Sequence, residues 1–308
     1  MTRDVRTILE STAAEYELRG ELHAVPPHAV YEAVVDGQRA VCKLARGPEA
    51  DPATEARVME RVRRETSVPV PEVLDVGPDW FLAAWHDGVP DEPTVGAERA
   101  RTMGAGLATV HRETTFEAAG HFTTGGTGGL VLESRESWPE TLRALVADCR
   151  RFLEPYGYAG VAEEVSAFLR ERPDALAGAG EPVLIHGNYL REHVGVAGGE
   201  VTCVIDFEHA MAGDGEYDYW ATALPTFVGA NAPGGDLGRR AFREGYESVR
   251  RLPDGFDRRS GVYRVVLGVT YLRSLYLQGQ WERPAADRRA ESFAGNIRKR
   301  LERLRGRG

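Results

Sequence analysis

The stretch VLIHGNYLREHVGVAGGEVTCVIDFEHAMAGDGEYDYW, Val183 to Trp220, concentrates the residues able to do chemistry. Two short apolar runs within it, PVLIHGN and VTCVIDF, read as strands and carry His186, Asn188, His193, Asp206 and Glu208 near their ends. With AGGE as the turn between them, the two runs form a short antiparallel pair. Such a pair delivers both polar sets to one end, beside a cleft, where catalytic groups are commonly placed. Asp206 directly follows the apolar Val204-Ile205. A carboxylate there needs a cation or several donors, because an uncompensated buried charge is costly. Mg²⁺ held by a carboxylate and nucleotide phosphates meets that need. A zinc-hydrolase reading of His186, His193, Asp206 and His209 is disfavoured, because the histidines lack HExxH-like spacing.

These groups need elements to hold them. AVYEAVVDGQRAVCKLA, Ala29 to Ala45, is two β-branched runs joined at Asp36-Gly37, a strong hairpin signal. In DPATEARVMERVRRE, Asp51 caps and Pro52 starts a helix whose apolar stripe is Val58, Met59 and Val62. VPVPEVLDV reads as an extended linker, DWFLAAW as a buried strand and HDGVPDEP as a hinge. Beyond the hinge the pattern is mostly helical. Met103, Leu107 and Val110 mark a helix over Glu98–His111, followed by a flexible loop at Thr123–Leu130. Ser137 and Glu140 open a capped helix with Pro139 in its first turn, and another helix covers Val161 to Arg170. Tyr263 to Leu277 is apolar on nearly all sides, which predicts burial. The reading is α+β with two lobes: a small β-rich lobe over residues 1–87, a larger helical lobe over 88–308 that carries the catalytic and metal loops, and a cleft between them.

Composition bounds the partners. The chain has 308 residues and a net charge of −9, so nucleic acid is not expected as the main partner: phosphates repel an acidic surface. The basic C-terminal run RKRLERLRGRG suits the last turns of a helix. No apolar run approaches a membrane span, and the charged start TRDVRTILES is unlike a signal peptide, so a soluble cytoplasmic protein is expected. Cys42, Cys149 and Cys203 are far apart and read as reduced core residues. Only two lysines occur, Lys43 and Lys299, which makes Lys43 conspicuous.

The ordered set His186-Gly187-Asn188, His193, Ile205-Asp206, Gly213-Asp214 and Asp218 resembles the aminoglycoside phosphotransferase and choline kinase-like family, a branch of the protein-kinase-like fold. That family reads HGDxxxxN, a strand, then IDxxxxxxGDxxxD, and the spacing here matches without a gap. Lys43 in AVCKLA resembles the strand lysine that holds ATP phosphates, with Glu55 favoured over Glu60 as its partner. The resemblance runs from about Ala29 to Trp220. It implies a two-lobed fold and an ATP-dependent phosphotransferase acting on a hydroxyl of a small molecule. In that division of labour Lys43 meets the phosphates and Asp206 binds Mg²⁺. The residue at 188 accepts the proton of the attacking hydroxyl, and the residue at 193 completes the metal shell.

Two of these positions depart from the pattern. Asn188 stands where the family has Asp, and an amide takes no proton near neutral pH. His193 stands where it has Asn, and imidazole suits Mn²⁺ better than Mg²⁺. Glu192 is a second candidate base or ligand. The turn AVPPHAVYEA, which should close over ATP, holds two prolines and no glycine, so it offers few backbone donors. The runner-up reading is therefore a pseudokinase that binds nucleotide or a small ligand without phosphoryl transfer. Among the remaining polar residues, His186 is expected to orient its loop. Asp214 and Asp218 are expected to fix the large lobe through backbone N–H groups and an arginine. His111 and His121 are expected to have no special task, and Tyr271, Tyr276 and Trp281 to be core. Arg273 should seek a buried carboxylate. An acidic large lobe suits a hydroxylated, cationic acceptor such as an amino sugar or a choline-like molecule.

Overall fold

The Asp36-Gly37 turn takes φ of 49° and 82°, the left-handed pair that a two-residue hairpin demands. The computed structural model describes residues 4–88, 95–228 and 232–306. In chain order the elements are α1 (Val5–Thr12), β1 (Tyr16–His23), β2 (His28–Val35), β3 (Gln38–Ala45), α2 (Pro52–Glu65), β4 (Val73–Val76), β5 (Trp80–Ala84) and α3 (Ala97–Glu113). Then come β6 (Gly120–Thr124), β7 (Leu130–Ser134), α4 (Trp138–Leu153), α5 (Ala159–Glu171), β8 (Val183–Ile185), β9 (Val194–Ala197), β10 (Glu200–Val204) and β11 (Met211–Gly213). The chain closes with α6 (Gly215–Phe227), α7 (Gly235–Glu247), α8 (Phe256–Leu277) and α9 (Arg283–Arg305).

The N-terminal part is one antiparallel sheet in the order β1-β2-β3-β5-β4. Its two faces differ. Val5, Ile8 and Leu9 of α1 pack on one face with Ala33, Cys42, Leu44 and Trp80, while α2 lies against Phe81 and Ala83 on the other. Val30 pairs with Lys43, so the lysine points from that second face. Asp51 caps α2 by accepting from Thr54 N at 3.0 Å, and this fixes Glu55 in the first turn. In the helical part Ser137 caps α4 as expected, accepting from Glu140 N. Among the described residues no helix is long and apolar enough to cross a membrane.

The structure corrects several expectations. PVLIHGN and VTCVIDF do not pair with each other. β8 pairs with β11 inside a four-stranded sheet β7-β6-β11-β8, and β10 pairs with β9 across the AGGE turn. The glycine-rich Thr123–Leu130 loop is the turn of a hairpin, β6–β7. β1 and α1 were not foreseen. Trp281 is 45% exposed and is no core residue; Arg289 stacks on it at 3.6 Å. Of the expected hinge, Val89 to Pro93 lies outside the described residues.

Candidate active site

The residues singled out from sequence converge on Lys43. Its Nζ lies 2.7 Å from Glu55 Oε2 and 2.8 Å from Asp206 Oδ1, with Glu208 Oε2 at 3.6 Å. Glu60 is not the partner: it turns outward to Arg57 at 2.8 Å. β3 supplies the lysine, the capped first turn of α2 supplies Glu55, and the segment after β10 supplies the other two carboxylates. That segment is held in place by Val204 N donating to Pro69 O at 2.8 Å and Ile205 N donating to His193 O at 3.0 Å. Asp206 takes φ of 71°, a left-handed conformation unusual for a side-chain-bearing residue and one that clusters at functional sites.

Asn188 Nδ2 donates to Asp206 Oδ2 at 2.7 Å. His193 Nδ1 meets the Asn188 carbonyl at 2.9 Å and so carries the hydrogen, and its Nε2 faces Asp206 Oδ2 at 3.4 Å. A ring whose far nitrogen is anchored on a carbonyl is the usual preparation of a metal-ligating histidine. Glu192 is half exposed and turns to Arg191 at 3.6 Å, away from these groups. Two imidazoles flank Glu208: His28 Nδ1 at 2.7 Å and His209 Nε2 at 3.4 Å.

The electrostatics follow from three carboxylates around one ammonium. Burial opposes charge on Lys43, but Asp206, Glu55 and Glu208 outweigh it and hold the ammonium well above its ordinary range. Burial likewise opposes charge on Asp206, yet Lys43 and His193 keep it well below the usual carboxylate value. Glu208 is held at about 2 against its own burial by His209 and His28. Glu55, the deepest of the three, is pushed up to about 8 by burial, which Lys43 only partly offsets. Negative charge exceeds positive here, and Asp206 with His193 offers oxygen and nitrogen side by side. This donor set fits a divalent cation that tolerates imidazole. A second grouping, His28, Glu55 and Glu208, has ligating atoms within 4.8 Å of one another. There the Lys43 ammonium, in contact with both carboxylates, already supplies the positive charge.

The loop that carries Asn188 rests on a buried polar frame. Asp218 accepts from His186 N at 2.7 Å and Gly187 N at 2.9 Å, and its Oδ2 meets His111 Nε2 at 3.1 Å. His111, expected to be idle, is buried and bridges Asp218 to Tyr246 Oη at 2.8 Å. Asp214 caps α6 and accepts from Gly180 N at 3.3 Å and from the Tyr263 hydroxyl. The arginine expected on these aspartates instead grips Glu216: Arg259 is 1% exposed and its Nε lies 3.0 Å from that carboxylate. Arg273, for which a buried carboxylate was expected, pairs with Glu49, which is 36% exposed. Gly187 has φ of 77°, and a Cβ there would lie 2.5 Å from His209 O, so the turn before Asn188 admits only glycine.

His186 orients this loop as expected. Its Nδ1 accepts from Asn188 N at 3.2 Å and its Nε2 donates to Ile205 O at 3.0 Å, which selects the neutral ring. Burial lowers its pKa from 6.5 to about 4. Between those values the unfolded chain binds a proton that the folded chain refuses, so stability falls as pH drops through that window. The loss is worth up to about 3 kcal/mol. Urea unfolding at pH 7 and pH 5 should show it, and His186→Gln should flatten the difference. An unchanged pH slope in the variant would assign the acid sensitivity elsewhere.

Removing the Arg259 side chain strands Glu216 in the core. Arg259→Met should cost about 3–5 kcal/mol. Adding Glu216→Leu should return much of it, because the stranded charge is what costs. Chemical denaturation of the two variants reads both quantities.

With this geometry in hand, the chain can be placed among known proteins. It matches the phosphotransferase enzyme family over residues 28–259 and belongs to that family. No curated protein matches it. Solved structures do. A candidate fructosamine-3-kinase from Thermobifida fusca is 22% identical with a TM-score of 0.65, covering 97% of this chain and 99% of that one. A thermostable mutant of aminoglycoside phosphotransferase APH(4)-Ia, in a ternary complex with ADP and hygromycin B, is 18% identical with a TM-score of 0.65, covering 96% and 97%. A microcompartment-associated aminopropanol kinase is 17% identical with a TM-score of 0.60, covering 98% of both chains. At these identities the likeness is one of fold: an α+β, protein-kinase-like architecture with a β-rich N-terminal sheet and a helical C-terminal part.

Proposed function

We propose that this chain is an ATP-dependent phosphotransferase that moves the γ-phosphate to a hydroxyl of a small molecule, with turnover lowered by Asn188. The observation that carries the reading is the Lys43–Glu55–Asp206 contact set, with Lys43 Nζ within 2.8 Å of both carboxylates in a member of the phosphotransferase family. In this proposal residues 1–87 are the nucleotide-binding lobe, 88–308 the helical lobe, and the setting is cytoplasmic.

Lys43 neutralises the phosphates and Glu55 keeps its ammonium in position. Asp206 and His193 would hold the divalent cation, Mg²⁺ or Mn²⁺, which when bound neutralises charge on the transferred phosphoryl group. Asn188 points its N–H to Asp206, so its carbonyl oxygen remains to accept a hydrogen bond from the acceptor hydroxyl. It orients that hydroxyl and takes no proton. A loose transition state asks little of a base, so positioning and charge neutralisation carry most of the rate. The excess of acid around the cleft favours an acceptor that is cationic as well as hydroxylated, in keeping with neighbours whose names include aminopropanol and fructosamine.

One observation favours a second reading, a pseudokinase that binds without transferring. The Asn188–Asp206 hydrogen bond is one that an ionised Asp at 188 could not make. The test is ADP release from ATP across a panel of amino sugars, amino alcohols and fructosamines, with Lys43→Met as control. Acceptor-dependent ADP that vanishes in the control supports transfer. Nucleotide binding with no ADP from any acceptor favours the second reading.

A further inference from the structure

We propose that His28 is a phosphate-contacting residue of the nucleotide site, its imidazole taking the place of the backbone donors that the covering turn lacks. The proposal rests on the nucleotide-dependent reading above.

The turn between β1 and β2 is Ala24-Val25-Pro26-Pro27. Neither proline has an N–H, and the His28 N–H is already given to Val25 O at 3.1 Å. Only Ala24 and Val25 are left as backbone donors, where a glycine-bearing turn would present a row of them.

His28 stands at the end of this turn and on the right face. Val30 pairs with Lys43 and His28 with Ala45, so His28 and Lys43 project from the same side of the sheet. The ring is buried, 6% exposed, with Nδ1 2.7 Å from Glu208 Oε2. That same oxygen lies 3.6 Å from Lys43 Nζ, which sets the imidazole beside the ammonium. That oxygen faces the Lys43 ammonium as well, so it accepts and Nδ1 carries the hydrogen. The other nitrogen, Nε2, is buried and has no hydrogen-bond partner among the described residues. An orphaned buried polar atom is rare and costs stability unless something meets it. Beside Lys43, a phosphate oxygen would accept from an Nε2–H, while Glu208 accepts from Nδ1–H and fixes the ring's orientation as carboxylates do for working imidazoles. A metal ion is the weaker alternative, because Lys43 already satisfies the neighbouring carboxylates.

The test is calorimetric titration of ATP and AMP into the wild-type protein, His28→Phe and His28→Arg. A charge-assisted hydrogen bond to phosphate should make His28→Phe bind ATP about 10- to 100-fold more weakly. AMP affinity should stay nearly unchanged, because the contact is with the outer phosphates, and His28→Arg should keep most of the ATP affinity. Should His28→Phe not fold, His28→Gln keeps a donor for Glu208 and is read in the same way. Unchanged ATP affinity, or equal losses for ATP and AMP, overturns the assignment while leaving the kinase reading intact. A wild-type protein that binds neither nucleotide removes both.

Discussion

Lys43→Met is expected to abolish ATP-dependent turnover and to lower folding stability by about 3–5 kcal/mol. The stability loss follows from what the lysine leaves behind. Lys43 is 7% exposed and touches Glu55 and Asp206 at 2.7 and 2.8 Å, with Glu208 at 3.6 Å. Without the ammonium, the ionised Asp206 and Glu208 face each other with their shared cation gone, while Glu55, already pushed up to about 8 by burial, stays protonated. Adding Asp206→Asn should therefore recover part of the stability, since an amide tolerates burial better than the stranded Asp206 charge. Activity should not recover in the double variant, because the phosphates still lack their cation. Denaturation curves and ADP release on the wild type, Lys43→Met and the double variant separate these effects. A Lys43→Met protein as stable as the wild type would show that the cluster is less tightly built than its geometry indicates.

Asn188→Asp is expected to raise turnover, by up to the roughly 10²- to 10⁴-fold that a general base contributes. The gain has a cost in the resting protein. Asn188 Nδ2 donates to Asp206 Oδ2 at 2.7 Å, and a carboxylate in its place would set two like charges in contact. The variant should thus melt lower than the wild type without divalent cation and regain much of the difference when the cation is added. Turnover at saturating cation and melting with and without it are the two readouts. Equal or lower turnover with ATP binding intact would mean that the native site relies on chemistry other than the missing base.

What could be read in the sequence was what local rules dictate. Asp36-Gly37 sets both the hairpin and its register, and the register alone aims Lys43. Asp51-Pro52 starts α2, and this brings Glu55 rather than Glu60 to the lysine. The same counting back from Asp36-Gly37 puts His28 on the Lys43 face, a signal present in the sequence but passed over. What escaped depended on contacts between distant segments. β8 and β11 are three residues each, too short for a period to show, so VTCVIDF was given the wrong partner. His111 looked like a helix end because nothing near it in sequence announces Asp218 or Tyr246. Arg259 and Glu216 carry no local mark of being partners, and Arg273 finds Glu49 from the opposite end of the chain.

The central claim is that Lys43, Glu55, Asp206 and His193 form a working site for nucleotide and divalent cation. Calorimetric titration with ATP, in Mg²⁺ and then in Mn²⁺, tests it without knowledge of the acceptor. The expected result is cation-dependent binding that is stronger in Mn²⁺, because His193 supplies an imidazole, and that is lost in Asp206→Ala. Absence of binding with either cation, or binding that Asp206→Ala leaves untouched, would contradict the claim.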